Sequence, residues 1–188
     1  IGPALARKIY KVYGDHAITM VSENPYVLAR EVQGIGFRTA DRVGKSLGYD
    51  ARSPERAAGA SLHVLEAASD DGHVFLPLSE VCERAQRLEV ESDVILPAVD
   101  RLRLSGDLIV EGAGDDPDAS VYLPRYYKAE LQVADRLEKL LHTPGPALYA
   151  QADEAIRIFE TRTGLTLSPG QRAAVARALE SKVFVLTG

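Results

Sequence analysis

The residues of this chain best placed to do chemistry are glycines and cations repeated at one interval. Residues 1–14, IGPALARKIYKVYG, align without gaps on residues 35–48, IGFRTADRVGKSLG, a spacing of 34. Five of the fourteen positions are identical, at 1/35, 2/36, 6/40, 11/45 and 14/48, where average composition gives roughly one. Gly2 and Gly36 stand where a helix begins, with Gly34 one residue before Ile35 in the second copy. A glycine turn lacks Cβ atoms, so peptide N–H groups are open to an approaching phosphate, and the following helix adds its positive end. On that helix Arg38, Arg42 and Lys45 fall at i, i+4 and i+7, and Lys8 and Lys11 match the last two in the first copy. Cations so placed contact phosphates and read no bases. The same residues also allow a plainer role, with glycines that only turn and cap beneath a solvated basic face.

These groups need helices to hold them. Leu5, Ile9 and Val12 in one copy, and Phe37, Ala40, Val43 and Leu47 in the other, recur at helical spacing. Gly14 and Gly48 follow as caps. Ahead of the second copy, Asn24 can cap and Pro25 open a further helix carrying Tyr26, Leu28 and Val32. The first copy lacks that leading helix. Gly44-Lys45-Ser46 imitates the end of a G-x-x-x-x-G-K-[ST] phosphate loop, but the required first glycine is Thr39, and the segment lies inside a helix.

The middle of the chain reads as helix (from Ser53-Pro54), strand (Val74 to Pro77), helix (capped by Ser79), helix (after Ser92), then two strands, at 108–111 and 121–123. That is the order of a winged-helix domain, whose last helix enters a DNA groove in many cases. Arg101 and Arg103 suit such a helix, whereas Asp115, Asp116 and Asp118 in the wing would repel phosphate. A structural or protein-contact role therefore weighs more here. A long helix, 127–141, leads to Thr143-Pro144-Gly145-Pro146, the clearest linker. Beyond it come a helix closed by Gly164, a second helix opened by Ser168-Pro169-Gly170-Gln171, and the apolar run Val183 to Thr187 ending at Gly188. Such a run suits a buried parallel strand. Parallel strands do not exist singly, so the rest of the sheet is expected downstream.

With 46% hydrophobic and 26% charged residues, the composition is globular. The net charge of −5 is unevenly spread: residues 1–48 carry seven Lys/Arg against four Asp/Glu. No apolar run reaches the roughly 20 residues of a membrane span, and the start does not read as a signal peptide. Cys82 is alone, which excludes an internal disulfide and fits a reducing cytoplasm. His16, His63, His73 and His142 have no metal-ligand spacing, so no metal residues are assigned.

The repeated Gly34-Ile35-Gly36 pattern resembles the helix-hairpin-helix family of DNA-binding modules, as a tandem pair over about residues 1–48. Leu167-Ser168-Pro169-Gly170-Gln171 resembles the adenine-recognising Q motif of superfamily 1 helicases, although Ser168-x-x-Gln171 is equally a capping box. In order, the hairpins, winged-helix-like region and Q motif resemble stand-alone RecD-like helicases with long N-termini. The fold this implies is mainly α. A tandem helix-hairpin-helix (1–50) precedes a winged-helix-like region (51–126), a connecting helix and linker (127–148), and the first helix and strand of a RecA-like α/β motor (149–188).

By the same resemblance the parent is a bacterial, cytoplasmic, ATP-dependent 5′-3′ DNA helicase of repair or recombination, using ATP and Mg2+ on single-stranded or forked DNA. Gln171 would read adenine and Gly188 would open the phosphate loop. Gly2, Lys8, Lys11, Gly34, Gly36, Arg38, Arg42 and Lys45 would meet DNA. The phosphate-loop Lys, the acidic Mg2+ ligands and the arginine finger would lie outside these residues, leaving no catalytic residue within them. Two other functions fit the same residues: a non-enzymatic DNA-binding scaffold, and a protein-docking region of a repair complex.

Overall fold

The computed structural model describes residues 2–112, 116–143 and 152–187, and the chain divides into two compact units, Ile1–Lys128 and Ala129–Gly188. The linker residues 144–146, Asp115 of the wing and Gly188 lie outside the described residues.

The first unit opens with α1 (Pro3–Tyr13), a 3-10 turn (Gly14–His16) and α2 (Ala17–Glu23). Pro3 at the first helical position of α1 starts it with no N–H to satisfy. The second helix was not legible in the sequence: seven residues with one buried apolar side chain, Val21, carry too little periodicity. Then α3 (Val27–Glu31) and α4 (Phe37–Ser46) form the second hairpin. Asn24 does serve the start of α3, but around a turn, its Oδ1 accepting from the Tyr26 N–H at 3.0 Å. The apolar stripe of α4 buries Phe37, Ala40 and Val43. Its expected extension to Leu47, and that of α1 to Val12, ends in solvent, because both lie at the last turn beyond their packing partners.

Next come α5 (Pro54–Asp70), β1 (Phe75–Pro77), α6 (Leu78–Gln86), α7 (Ser92–Ser105), β2 (Ile109–Glu111), β3 (Ser120–Tyr122) and the start of α8 (Pro124–His142). The sheet order is β1-β3-β2, all antiparallel, with Phe75 opposite Tyr122 and Ile109 opposite Tyr122 on the far side. Leu76 and Val121 point from one sheet face into a core with Leu65, Val81, Ile95, Leu102 and Leu108. Two starts differ from expectation. Ser79 is not the cap of α6, which begins at Leu78, because the Leu78 and Ser79 N–H groups donate to Ala119 O and Pro117 O in the wing, each at 2.9 Å. Likewise α8 begins at Pro124, three residues before Tyr127.

In the second unit α9 (Ala152–Thr163) packs on α10 (Pro169–Glu180). Arg172 bridges to Glu160 at 2.6 Å, and Glu160 also accepts from the Leu167 N–H at 2.9 Å. Residues 183–187 are in neither helix nor strand. Ladder hydrogen bonds need a neighbouring strand, and the described residues of this unit hold none.

Candidate nucleic-acid interface

The second hairpin turns at Gly34, whose φ of +77° a side chain would strain, and Ile35 N–H closes the turn onto Val32 O at 3.0 Å. Gly36 is then the extended residue before α4, its carbonyl accepting from Thr39 and Ala40. The N–H groups of Gly36, Phe37 and Arg38 have no acceptor among the described residues, as expected for an uncapped helix start. Gly2 has the same place before α1. The first copy offers fewer donors, since Pro3 has no N–H.

The two copies meet in ways that spacing alone does not disclose: the Tyr13 hydroxyl of α1 donates to Glu31 Oε2 of α3 at 2.9 Å. A Cβ added at Gly34 would stand 3.0 Å from Lys8 Nζ, so the lysine of the first helix lies over the turn of the second hairpin. Arg38 and Arg42 are exposed on α4, and Lys8 and Lys11 on α1. Among the described residues none of these four has a carboxylate within salt-bridge distance. Lys45 does: its Nζ is 3.2 Å from Asp41 Oδ2 and 3.3 Å from Glu89 Oε2. Of the residues expected to face phosphate, Lys45 alone is already engaged by acids.

Beneath this face lies a charged centre that the sequence did not announce. Arg56 of α5 is 1% exposed and donates through Nε to Asp41 Oδ1 at 2.8 Å. Its Nη2 reaches Asp41 Oδ2 at 3.3 Å and Leu88 O at 2.9 Å, and Nη1 donates to Glu89 O. The Tyr26 hydroxyl donates to Asp41 Oδ1 at 3.0 Å. Burial alone would raise the Asp41 carboxyl, but the hydrogen bonds from Arg56 and Tyr26 and the guanidinium charge outweigh it, so its pKa is lowered. Tyr26 is pushed up by burial and by the Asp41 charge.

Tyr26 also explains the false phosphate-loop signal. A Cβ at Gly44 would lie 2.8 Å from the Tyr26 hydroxyl, and one at Gly59 2.8 Å from Tyr26 Cβ. Gly44 is small to admit this ring. One clue to the centre was present in the sequence: Asp41 is an acid set in the apolar stripe of an otherwise basic helix.

Phe37 stacks on Tyr26 and on His63, with ring centroids 5.8 Å and 5.1 Å apart. Burial, and then the Arg38 charge, lower the His63 pKa, so the imidazole beside the hairpin is held toward its neutral form.

The two arginines of the winged-helix-like region are exposed but paired. Arg101 donates to Pro54 O at 2.8 Å and to Glu55 Oε1 at 3.3 Å, and Arg103 pairs with Asp100 at 3.2 Å. In the second unit, Ser168 and Gln171 form the reciprocal cap: Ser168 N–H donates to Gln171 Oε1 at 2.9 Å, and Gln171 N–H to Ser168 Oγ at 3.3 Å.

Residues 1–75 match the family model described as the ATP-dependent RecD2 DNA helicase HHH domain. Over 97% of its length the chain is 31% identical to the ATP-dependent RecD2 DNA helicase of Deinococcus radiodurans. It spans 26% of that relative.

Proposed function

We propose, from the premise that residues 1–75 are a RecD-like helix-hairpin-helix region, that this chain is the N-terminal DNA-binding part of an ATP-dependent 5′-3′ DNA helicase acting in repair or recombination. The observation that carries the DNA-binding role is the face on which Arg38 and Arg42, free of carboxylates among the described residues, adjoin a hairpin turn overlaid by Lys8. Uncommitted N–H groups at the start of α4 add partial positive charge there. A surface of this kind holds phosphates, and single-stranded or forked DNA is the expected substrate. Gly2 and Lys11 extend the face onto the first copy. The winged-helix-like region braces the hairpins, since Arg56 of α5 holds Asp41 of α4 and Asp107 pairs with Arg30 of α3 at 2.9 Å, while Asp116 and Asp118 face solvent, where they would repel phosphate.

ATP with Mg2+ would supply phosphoryl-transfer chemistry to the motor. From this chain Gln171 would read adenine and Gly188 would open the phosphate loop. The capping box is compatible with that role. One lone pair of Gln171 Oε1 serves Ser168 N–H, leaving a second lone pair and the amide donors for the adenine edge.

The test is the salt dependence of DNA binding by the Arg38→Ala/Arg42→Ala variant. Two lost phosphate contacts should flatten the slope of log K against log salt by about 1.4–1.8. An unchanged slope would mean that this face does not touch the backbone.

A further inference from the structure

Between α4 and the turn joining α6 to α7 lies a groove of about 370 Å³, lined by Arg38, Asp41, Arg42, Lys45, Arg87 and Glu89 with Phe37 and Leu88 at its base. Asp41 is paired from below with Arg56 and also with Lys45, so the cations of the groove without a carboxylate partner among the described residues are Arg38 and Arg42, and Glu89 is its outlying acid. Arg87 is tied to Glu83 on its own helix at 2.6 Å. Glu89 behaves differently. Its carboxylate is 80% exposed and reaches across 44 residues of sequence to Lys45.

The backbone explains why Glu89 stands there. Its φ is +62°, the one positive value at a non-glycine among the described residues, a conformation costing about 1–2 kcal/mol. The turn is held in it by Arg56, which takes both the Leu88 and Glu89 carbonyls, and by Glu89 N–H donating to Gln86 O at 2.9 Å. A buried arginine thus fixes a strained turn that sets a carboxylate over the basic face.

We propose that this groove is a phosphodiester-binding site, and that Glu89 occupies in it the position of a phosphate oxygen, competing with DNA for Lys45. The proposal rests on the reading of α4 as a DNA-binding face. While Glu89 holds Lys45 the lysine makes no phosphate contact, and removing the carboxylate frees it for one. Lys45 is then a ligand held in reserve, while Arg38 and Arg42 make first contact.

The experiment compares Glu89→Gln and Glu89→Gly with the parent chain, binding a labelled forked DNA between 50 and 200 mM salt. Glu89→Gln keeps the side-chain length and removes the charge. Glu89→Gly also relieves the strained φ, so thermal unfolding of the two separates folding from charge. Both should bind more tightly at low salt, and the salt slope should steepen by about 0.7–0.9 for one added phosphate contact. That is about a threefold greater loss of affinity across the fourfold salt range. In the Lys45→Ala background, removing Glu89 should change nothing. If both Glu89 variants bind with the parent's affinity and slope while Arg38→Ala/Arg42→Ala still flattens it, the gate is wrong and the DNA-binding face stands. If the arginine variant has no effect either, the face itself is wrong.

Discussion

Replacing Asp41 by Asn tests the centre that joins the second hairpin to the helices behind it. The substitution keeps side-chain shape and an acceptor for the Tyr26 hydroxyl, but leaves the Arg56 guanidinium, 1% exposed, without its counter-ion. Removing one partner of a buried pair costs about 3–5 kcal/mol, because the remaining charge stays desolvated. The carbonyls of Leu88 and Glu89 still accept from Arg56, which favours the lower end, about 3 kcal/mol. With a urea m-value of about 1.5 kcal/mol per molar, the unfolding midpoint of the first unit should fall by about 2 M. Arg56→Met in place of Asp41→Asn should cost at least as much, since it also strips the Leu88 and Glu89 carbonyls of their donor. The pH dependence has a definite sign. A carboxyl whose folded-state pKa lies below its unfolded one adds stability that is complete above about pH 5 and declines as the pH falls toward the folded value. Asp41→Asn should therefore flatten the acid limb of the stability curve. A loss below about 1 kcal/mol, or an acid limb unchanged by Asp41→Asn, would refute the assignment of Asp41–Arg56 as the joint between these elements.

The packing of Tyr26 makes Gly59→Ala an overpacking change: its new Cβ would stand 2.8–2.9 Å from three Tyr26 atoms, so a loss of about 1–3 kcal/mol is expected in the same urea titration. In the second unit, Ser168→Ala removes one half of the capping box and should lower the stability of α10 by about 1 kcal/mol, read as faster amide exchange in its first turn.

How much was legible in the sequence depended on the range of the interaction. The hairpin turn, α4 and its basic face followed from the internal repeat and from helical spacing, and the element order from α5 to β3 followed from helical spacing and short apolar runs. Those are contacts within a few residues of one another, so residue type and interval suffice. The Ser168–Gln171 cap was visible for the same reason, lying within one turn of helix.

What tertiary structure alone decided was the state of each charge. Arg38, Arg42 and Lys45 are equivalent cations by spacing on one helix. Yet Lys45 meets Glu89 from another element and the two arginines meet no carboxylate among the described residues. Arg56 looked like any first-turn helix residue until α4 and the Leu88-Glu89 turn closed over it. Lys8, placed by the repeat as a counterpart of Arg42, instead stands over the neighbouring hairpin's turn. An electrostatic interaction depends on distance and burial in space, and the chain brings these groups together across tens of residues. Sequence determined which groups could bind phosphate; packing determined which of them are free to do so.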